Sequence, residues 1–328
     1  MKIKIKVLKD LVNQALTKQG YASKEIEIIS EILLYAQLRG NNQGIVKLIG
    51  KGIPKNPEAK KIEIVRETKL SVLLNGNKNM GMVVLTKAME KAIQKAKKHG
   101  FGIAGTNNTS TSTGAIGFYA NKIAKEGLIG FVFAGSPETV TTLGSYEAIY
   151  GTNPLAIGIP SSGDPVVLDM ATAIMAYFGL IEAKTAGKKI PVGIAYDSKG
   201  KFTTDPAKAM DGALLPFDKD RKSSGLALMV EVLTGPLVGA SFVGFGDTGT
   251  NWGNLIWVID PELLTDQKTF KKNVQKLVEK VKSIKKIKGV KEIYVPGERG
   301  NRLTSERLKS GTIEVEDNLF KQLKEAAL

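Results

Sequence analysis

Short β-rich runs alternate with stretches of helical periodicity through most of this 328-residue chain, and that alternation limits the folds open to it. Up to about residue 50 the pattern reads as two amphipathic helices, the second carrying its buried stripe on Ile29, Ile32, Leu33 and Ala36. The β-rich runs "KIEIVR" and "LSVLLNGN" follow, and the second ends in Asn75-Gly76, a favoured tight-turn pair. A helix over about 82–98 leads into "GFGIAGT", and another starting near Gly114 leads into "LIGFVFAG". Further strands are expected at "LAIGIP", "VVLDMA" and "NLIWVID", with helices near 171–184 and 224–234 between them. Such mixing points to α/β or α+β layers and excludes a helical bundle or a β-sandwich.

Dinucleotide binding by a Rossmann fold would need G-x-G-x-x-G between a strand and a helix. "GFGDTG", Gly244–Gly249, has the spacing, but "TNWGNLIWVID" follows it, which reads as loop and then strand. It is therefore read as a loop. With no cysteine and a single histidine, the usual zinc ligand sets are excluded, as are disulfides and thiolate nucleophiles. That histidine, His99, sits in "KKHGFGI" where a helix should end, with Gly100 placed to cap it and an imidazolium placed to favour the helix dipole.

Lysine and arginine exceed aspartate and glutamate by 47 to 32, giving a net charge of +15. Such a charge attracts nucleic acid, anionic lipid or phosphorylated small molecules. No nucleic-acid motif accompanies it, so a lysine-rich surface is the reading and a nucleic-acid partner is not expected. The densest basic segment, "KTFKKNVQKLVEKVKSIKKIKGVKEI", places Phe270, Val274, Leu277, Val278, Val281 and Ile284 on one helix face with lysines around it. Neither a signal peptide nor a membrane span is evident. The weakly charged run Gly225–Gly246 carries Glu231, breaks at Gly235-Pro236, and reads as a buried helix and a turn. The cytoplasm is the expected location.

Five polar segments are candidates for a site. "LRGNNQGIVKL", residues 38–48, resembles the wall of an anion pocket, with Arg39, a run of amides and Lys47. "NNTSTSTGAIGFYA", residues 107–120, stacks hydroxyls and amides ahead of a helix start, where free N–H groups can receive a carboxylate or phosphate. "GTNP", residues 151–154, is turn-like. "VVLDMATA" is read as a strand running straight into a helix with Asp169 and Thr172 at the junction, suited to a ribose hydroxyl or to a helix cap. "DKDRKSSGLAL" sets Arg221 and Lys222 beside serines that open a helix, an arrangement that suits a pyrophosphate or a solvated loop.

In order, "RGNNQGIVKL", "GIAGTNNTSTSTGAIGFYANKIAKEGLIGFVFAGSPETV", "YGTNPLAIGIP", "VVLDMATAIMAYFG", "YDSKGKFTTDP", "RKSSGLALMVEVLTGPLVGA" and "VPGE" resemble the type 2 malate/L-lactate dehydrogenase family over almost the whole chain. The resemblance implies an α/β fold that binds NAD or NADP without a Rossmann motif, built on a mixed sheet with flanking helices and two lobes. It implies one lobe from residues 1–70 and 290–328 around a central cofactor region, 71–289. It further implies a homodimer, and hydride transfer between nicotinamide and a small 2-hydroxy or 2-oxo acid. By position, Ser136, Asp169, Met170, Ala171, Lys222, Ser223 and the Pro296-Gly297-Glu298 turn would contact the dinucleotide, with Asn153 and Thr172 completing the set. Lys47 stands where the family has an arginine for the substrate carboxylate, and Arg39 is its expected helper.

The family pattern near residue 40 ends in serine-histidine-glycine, and that histidine is the expected proton donor. This chain has "RGNNQG", one residue shorter, with Gln43 before the glycine. A second family histidine falls on Ser112, Ala173 replaces a usual serine, and "KSSG" replaces lysine-glycine-tyrosine-glycine. Lys47, Tyr35, Asp197 or a water would then relay protons, or the substrate would be a cyclic imino acid that arrives already protonated. The alternatives are a dinucleotide-binding protein without chemistry, in a regulatory or structural role, and a nucleic-acid-binding protein.

Overall fold

The computed structural model describes residues 1–218, 221–247 and 249–328. In chain order the elements are β1 (Lys2–Lys4), α1 (Ile5–Lys18), α2 (Ser23–Leu38), β2 (Glu63–Glu67), β3 (Ser71–Asn75), α3 (Gly81–His99), β4 (Phe101–Thr109), α4 (Gly117–Lys125), β5 (Ile129–Ala134), β6 (Leu155–Ile159) and β7 (Val166–Met170). After them come α5 (Tyr177–Thr185), β8 (Ala195–Tyr196), α6 (Pro206–Met210), β9 (Ala213–Leu214), α7 (Arg221–Thr234), β10 (Trp252–Ile259), α8 (Gln267–Ser283), α9 (Glu298–Ser310), β11 (Thr312–Glu314) and α10 (Asp317–Ala327).

Seven strands make a mixed sheet in the order β2-β3-β4-β10-β5-β6-β7. Within it β3 and β4 pair in parallel, with α3 as the crossover, and the other neighbours pair antiparallel. The fold is thus the layered α/β arrangement that the alternating patterns imply. Helices α3 and α4 cover one face of the sheet, over Ala104, Val132, Ala156 and Ile256. They approach closely because the strands carry glycine beneath them. A Cβ at Gly102 would stand 2.1 Å from the Ala92 carbonyl oxygen, and one at Gly158 2.1 Å from that of Ala120. Side chains of the opposite parity, Phe133, Leu155 and Leu255, meet Val230 of α7 on the other face. Away from the sheet, β1 pairs antiparallel with β11 and α1 packs on α10.

The structure departs from the sequence expectations at several joints. Asn75-Gly76 does not close the β2–β3 hairpin. That turn lies at Thr68–Leu70, where the Thr68 hydroxyl accepts the N–H groups of Leu70 and Ser71, and Asn75-Gly76 instead leads towards α3. No helix starts at Gly114, whose φ of +71° is left-handed, and α4 begins at Gly117. β7 does not run straight into a helix. Residues 171–176 cross to Tyr177 as a bent, non-helical segment, tied by Thr172 N–H to the Thr152 carbonyl and by Ile174 N–H to that of Leu215. Helix α7 is buried on one side only, leaving Leu228, Met229 and Val232 exposed. Helix α8 has no fully buried residue, because it lies on the molecular surface with its lysines spread around a half-covered apolar face.

His99 closes α3 as expected, with Gly100 left-handed at φ +82° and its N–H donating to the Ala96 carbonyl. Its expected charge on the helix dipole is not favoured: desolvation, together with Lys69, Lys98 and Lys95, lowers the imidazole pKa. "GFGDTG" has neither a strand before it nor a helix after it, although Thr248 lies outside the described residues. Lys219 and Asp220 of "DKDRKSSGLAL" lie outside them too. Among the described residues no helix is long and apolar enough to cross a membrane, and no cluster of acidic or histidine side chains is set to hold a metal.

Candidate active site

Strands β4, β5 and β7 run in one direction, so their C-terminal ends deliver residues 110–116, 135–139 and 169–171 to the same edge of the sheet. Against that edge lie the 40–47 segment and the start of α5, enclosing a cavity of about 1150 Å³. Gln43, Lys47, Ser112, Ser136, Asp169, Met170 and Ala171 all line it. Some residues of each expected set, for substrate and for cofactor, therefore share a single space.

Lys47 sits on a short 3-10 turn, Ile45–Leu48, whose four residues are all buried. The apolar neighbours Ile45, Val46 and Leu48 pull the turn into the main core and carry the lysine with them. Its Nζ lies 3.3 Å from the centre of the Phe178 ring of α5, a cation–π contact. Burial lowers its pKa well below that of an ordinary lysine. Among the described residues none gives it an ion pair.

The loop bearing Ser112 is pinned from beneath. Buried Tyr119 donates its hydroxyl to the Thr113 carbonyl at 2.8 Å, and Met82 N–H donates to the Ser112 carbonyl. Ser112 is itself buried, and its Oγ accepts Gly114 N–H at 3.1 Å. Ser136 Oγ accepts Thr152 N–H at 3.0 Å and lies 3.5 Å from the Thr152 hydroxyl. Asp169 accepts Gly117 N–H at 3.0 Å. Solvent reaches this side chain through the cavity, but protein encloses the carboxyl. The desolvation pushes its pKa up to about 6, against the opposing pull of Gly117 N–H and Arg39.

The remaining candidates stand elsewhere. Arg39 faces away from Lys47, donating to the Gly297 carbonyl at 2.8 Å and to Asn301, with its guanidinium 4.9 Å over the Tyr35 ring. That ties the Pro296-Gly297-Glu298 turn to α2, while Val167 N–H donates to the Pro296 carbonyl and holds the turn on β7. Glu298 pairs with Lys282. Tyr35 donates to the Gly117 carbonyl, and burial pushes its pKa up to about 12. Asp197 lies in a surface turn, accepting the N–H groups of Lys199 and Lys201. Asn153 is fully buried and donates to the Ala227 carbonyl and the Glu231 carboxylate. Thr172 Oγ1 donates to the Thr152 carbonyl. Ser223 is buried against Asp218, and Lys222 is exposed at the start of α7. None of these residues lines the cavity.

Sequence reasoning missed Phe178, Glu182 and Arg299, which do line it. Phe178 carried no local signal, since its partner Lys47 lies far off in the chain. Arg299 adjoins the recognised turn, so its position was within reach.

The model of the malate/L-lactate dehydrogenase family matches residues 3–324. The malate/(S)-sulfolactate dehydrogenase of Methanothermus fervidus is 37% identical, over 97% of this chain and 95% of that protein. The ureidoglycolate dehydrogenase (NAD(+)) of Escherichia coli O157:H7 is 31% identical over 100% of this chain and 96% of its own length. The crystal structure of malate dehydrogenase from Entamoeba histolytica superposes with a TM-score of 0.90 at 28% identity, covering 100% of this chain and 97% of that one.

Proposed function

Because the chain belongs to the malate/L-lactate dehydrogenase family, we propose that it transfers a hydride between the nicotinamide of NAD or NADP and C2 of a small 2-hydroxy or 2-oxo acid, or of a cyclic imino acid. The observation that carries this reading is the single cavity lined by both Gln43, Lys47, Ser112 and Ser136, Asp169, Met170, Ala171. Its volume of about 1150 Å³ exceeds the usual range for a small metabolite alone and suits a dinucleotide with substrate. The cofactor supplies or accepts the hydride.

The chain's own residues do the rest by position and charge. Ser136 and Asp169 offer a hydroxyl donor and a carboxylate acceptor for cofactor hydroxyls. Lys47 holds the substrate carboxylate, and Gln43 and Ser112 bound the reacting carbon without supplying a proton. Arg39 acts at one remove, holding the Gly297 turn on which Arg299 reaches the cavity. We assign one lobe to residues 1–70 with 290–328 and the cofactor region to 71–289, in a cytoplasmic homodimer. The apolar side chains exposed on α7 support the dimer.

Fluorescence titration with NADH and NADPH, followed by a panel of 2-oxo and cyclic imino acids, tests the reading. Binding with cofactor oxidation is expected. Binding without turnover across the panel would favour a dinucleotide-binding protein that has lost its chemistry, and no binding would refute the assignment.

A further inference from the structure

The site has a carboxylate anchor and no histidine, so the proton that must reach the substrate oxygen lacks a source among the family's usual groups. Gln43 cannot give one, and Ser112 is held near Gly114. The titratable groups around the cavity are Glu138, Asp169, Tyr177, Glu182 and Arg299, besides Lys47. Asp169 accepts Gly117 N–H, and burial raises the pKa of Tyr177 and Glu182. Lys47 is on the wall with Gln43.

We propose that Lys47 Nζ is the proton-transfer group of this site, giving the proton to the oxygen on C2 during reduction and taking it back during oxidation. The proposal rests on the dehydrogenase reading above and adds to it. The geometry that carries it is an enclosed lysine on the cavity wall, seated on the Phe178 ring and given no ion pair by any carboxylate among the described residues. A buried amine without a counter-ion is a poor permanent anchor but a good exchangeable one. Burial shifts its proton equilibrium towards the neutral amine, against the Phe178 ring face, which favours the ammonium.

An incoming 2-oxo acid brings the missing negative charge. Lys47 then takes one proton from solvent and becomes an ammonium beside the carboxylate. As C2 receives the hydride, the carbonyl π pair moves to oxygen and the oxygen takes a proton from Nζ, leaving alcohol and neutral amine. Oxidation runs the same transfers backwards: the amine removes the hydroxyl proton as the hydride leaves C2. The group that anchors the substrate is thus loaded by it.

The test is proton linkage. Oxamate, a 2-oxo-acid mimic that cannot be reduced, is titrated calorimetrically into the whole chain with NADH, across a pH series in buffers of different ionisation enthalpy. Proton uptake on binding is expected, growing as the pH is raised and vanishing where Lys47 is already charged. Saturable binding with no uptake at any pH of the series would overturn the proposal. Absence of oxamate binding would remove both the 2-oxo-acid reading and the inference built on it.

A second measurement separates anchor from donor. Lys47→Arg keeps a fixed charge that does not deprotonate, so oxamate affinity and KM should stay within a few-fold while kcat falls about 10²- to 10⁴-fold. Retained kcat in a folded Lys47→Arg variant would overturn the assignment.

Discussion

Lys47 and Asp169 line one cavity, and both have been moved by burial towards the uncharged form. For Asp169 the sign of the stability effect follows from its folded pKa of about 6, above the ordinary aspartate value of 3.8. The protonated carboxyl is favoured in the folded state, so its contribution is fully present below pH 4 and is lost as the pH rises through about 6. Asp169→Asn removes that loss. Thermal melts at pH 5 and pH 8 should show the variant gaining on the wild type at the higher pH, and equal gains at both would refute the buried-carboxyl account. The same variant is expected to bind NADH and NADPH more weakly, because an amide is a poorer acceptor for cofactor hydroxyls. Legibility at this scale was uneven. The family resemblance picked out Gln43, Ser112, Ser136 and Asp169 by position, and all four line the one cavity. The confinement of Lys47 was not legible, since it depends on Phe178 and on the core beneath its turn. Asp197 and Ser223 looked equally polar in sequence, yet their oxygens are committed to local hydrogen bonds.

At the scale of elements, the β-rich runs were readable because each carries a continuous apolar or alternating pattern. The joints were not, because tertiary hydrogen bonds hold residues 171–176 out of a helix where local propensity favours one. Two glycine substitutions test the packing account with opposite signs. Gly158→Ala places a methyl against the Ala120 backbone and should cost about 1–3 kcal/mol in urea unfolding, by forcing α4 off the sheet. Gly225→Ala meets nothing within 4 Å inside α7 and should stabilise by roughly 0.5–1 kcal/mol. Stabilisation by the first would mean that the strand–helix approach is looser than described.

For the whole molecule, the assembly prediction rests on α7. Leu228, Met229 and Val232 are 43%, 53% and 45% exposed within one turn, an apolar face of the kind that subunit contacts bury. The double variant Leu228→Lys/Met229→Glu should sediment as a monomer where the wild type sediments as a dimer, and an unchanged dimer would place the interface elsewhere. The net charge of +15 gave no comparable guide, since lysines are spread over α8 and neighbouring loops.

The position of β10 in the sheet carries a consequence for how the molecule is made. It lies between β4 and β5, yet it leaves the ribosome long after both of them. At about 5–20 residues per second, translating from Ala134 to Trp252 takes on the order of ten seconds. During that interval the nascent chain holds two hydrophobic strand edges with the slot between them unfilled. Only when the last sheet strand inserts are both edges closed, so the growing polypeptide must be shielded from edge-to-edge pairing with its neighbours on the same messenger.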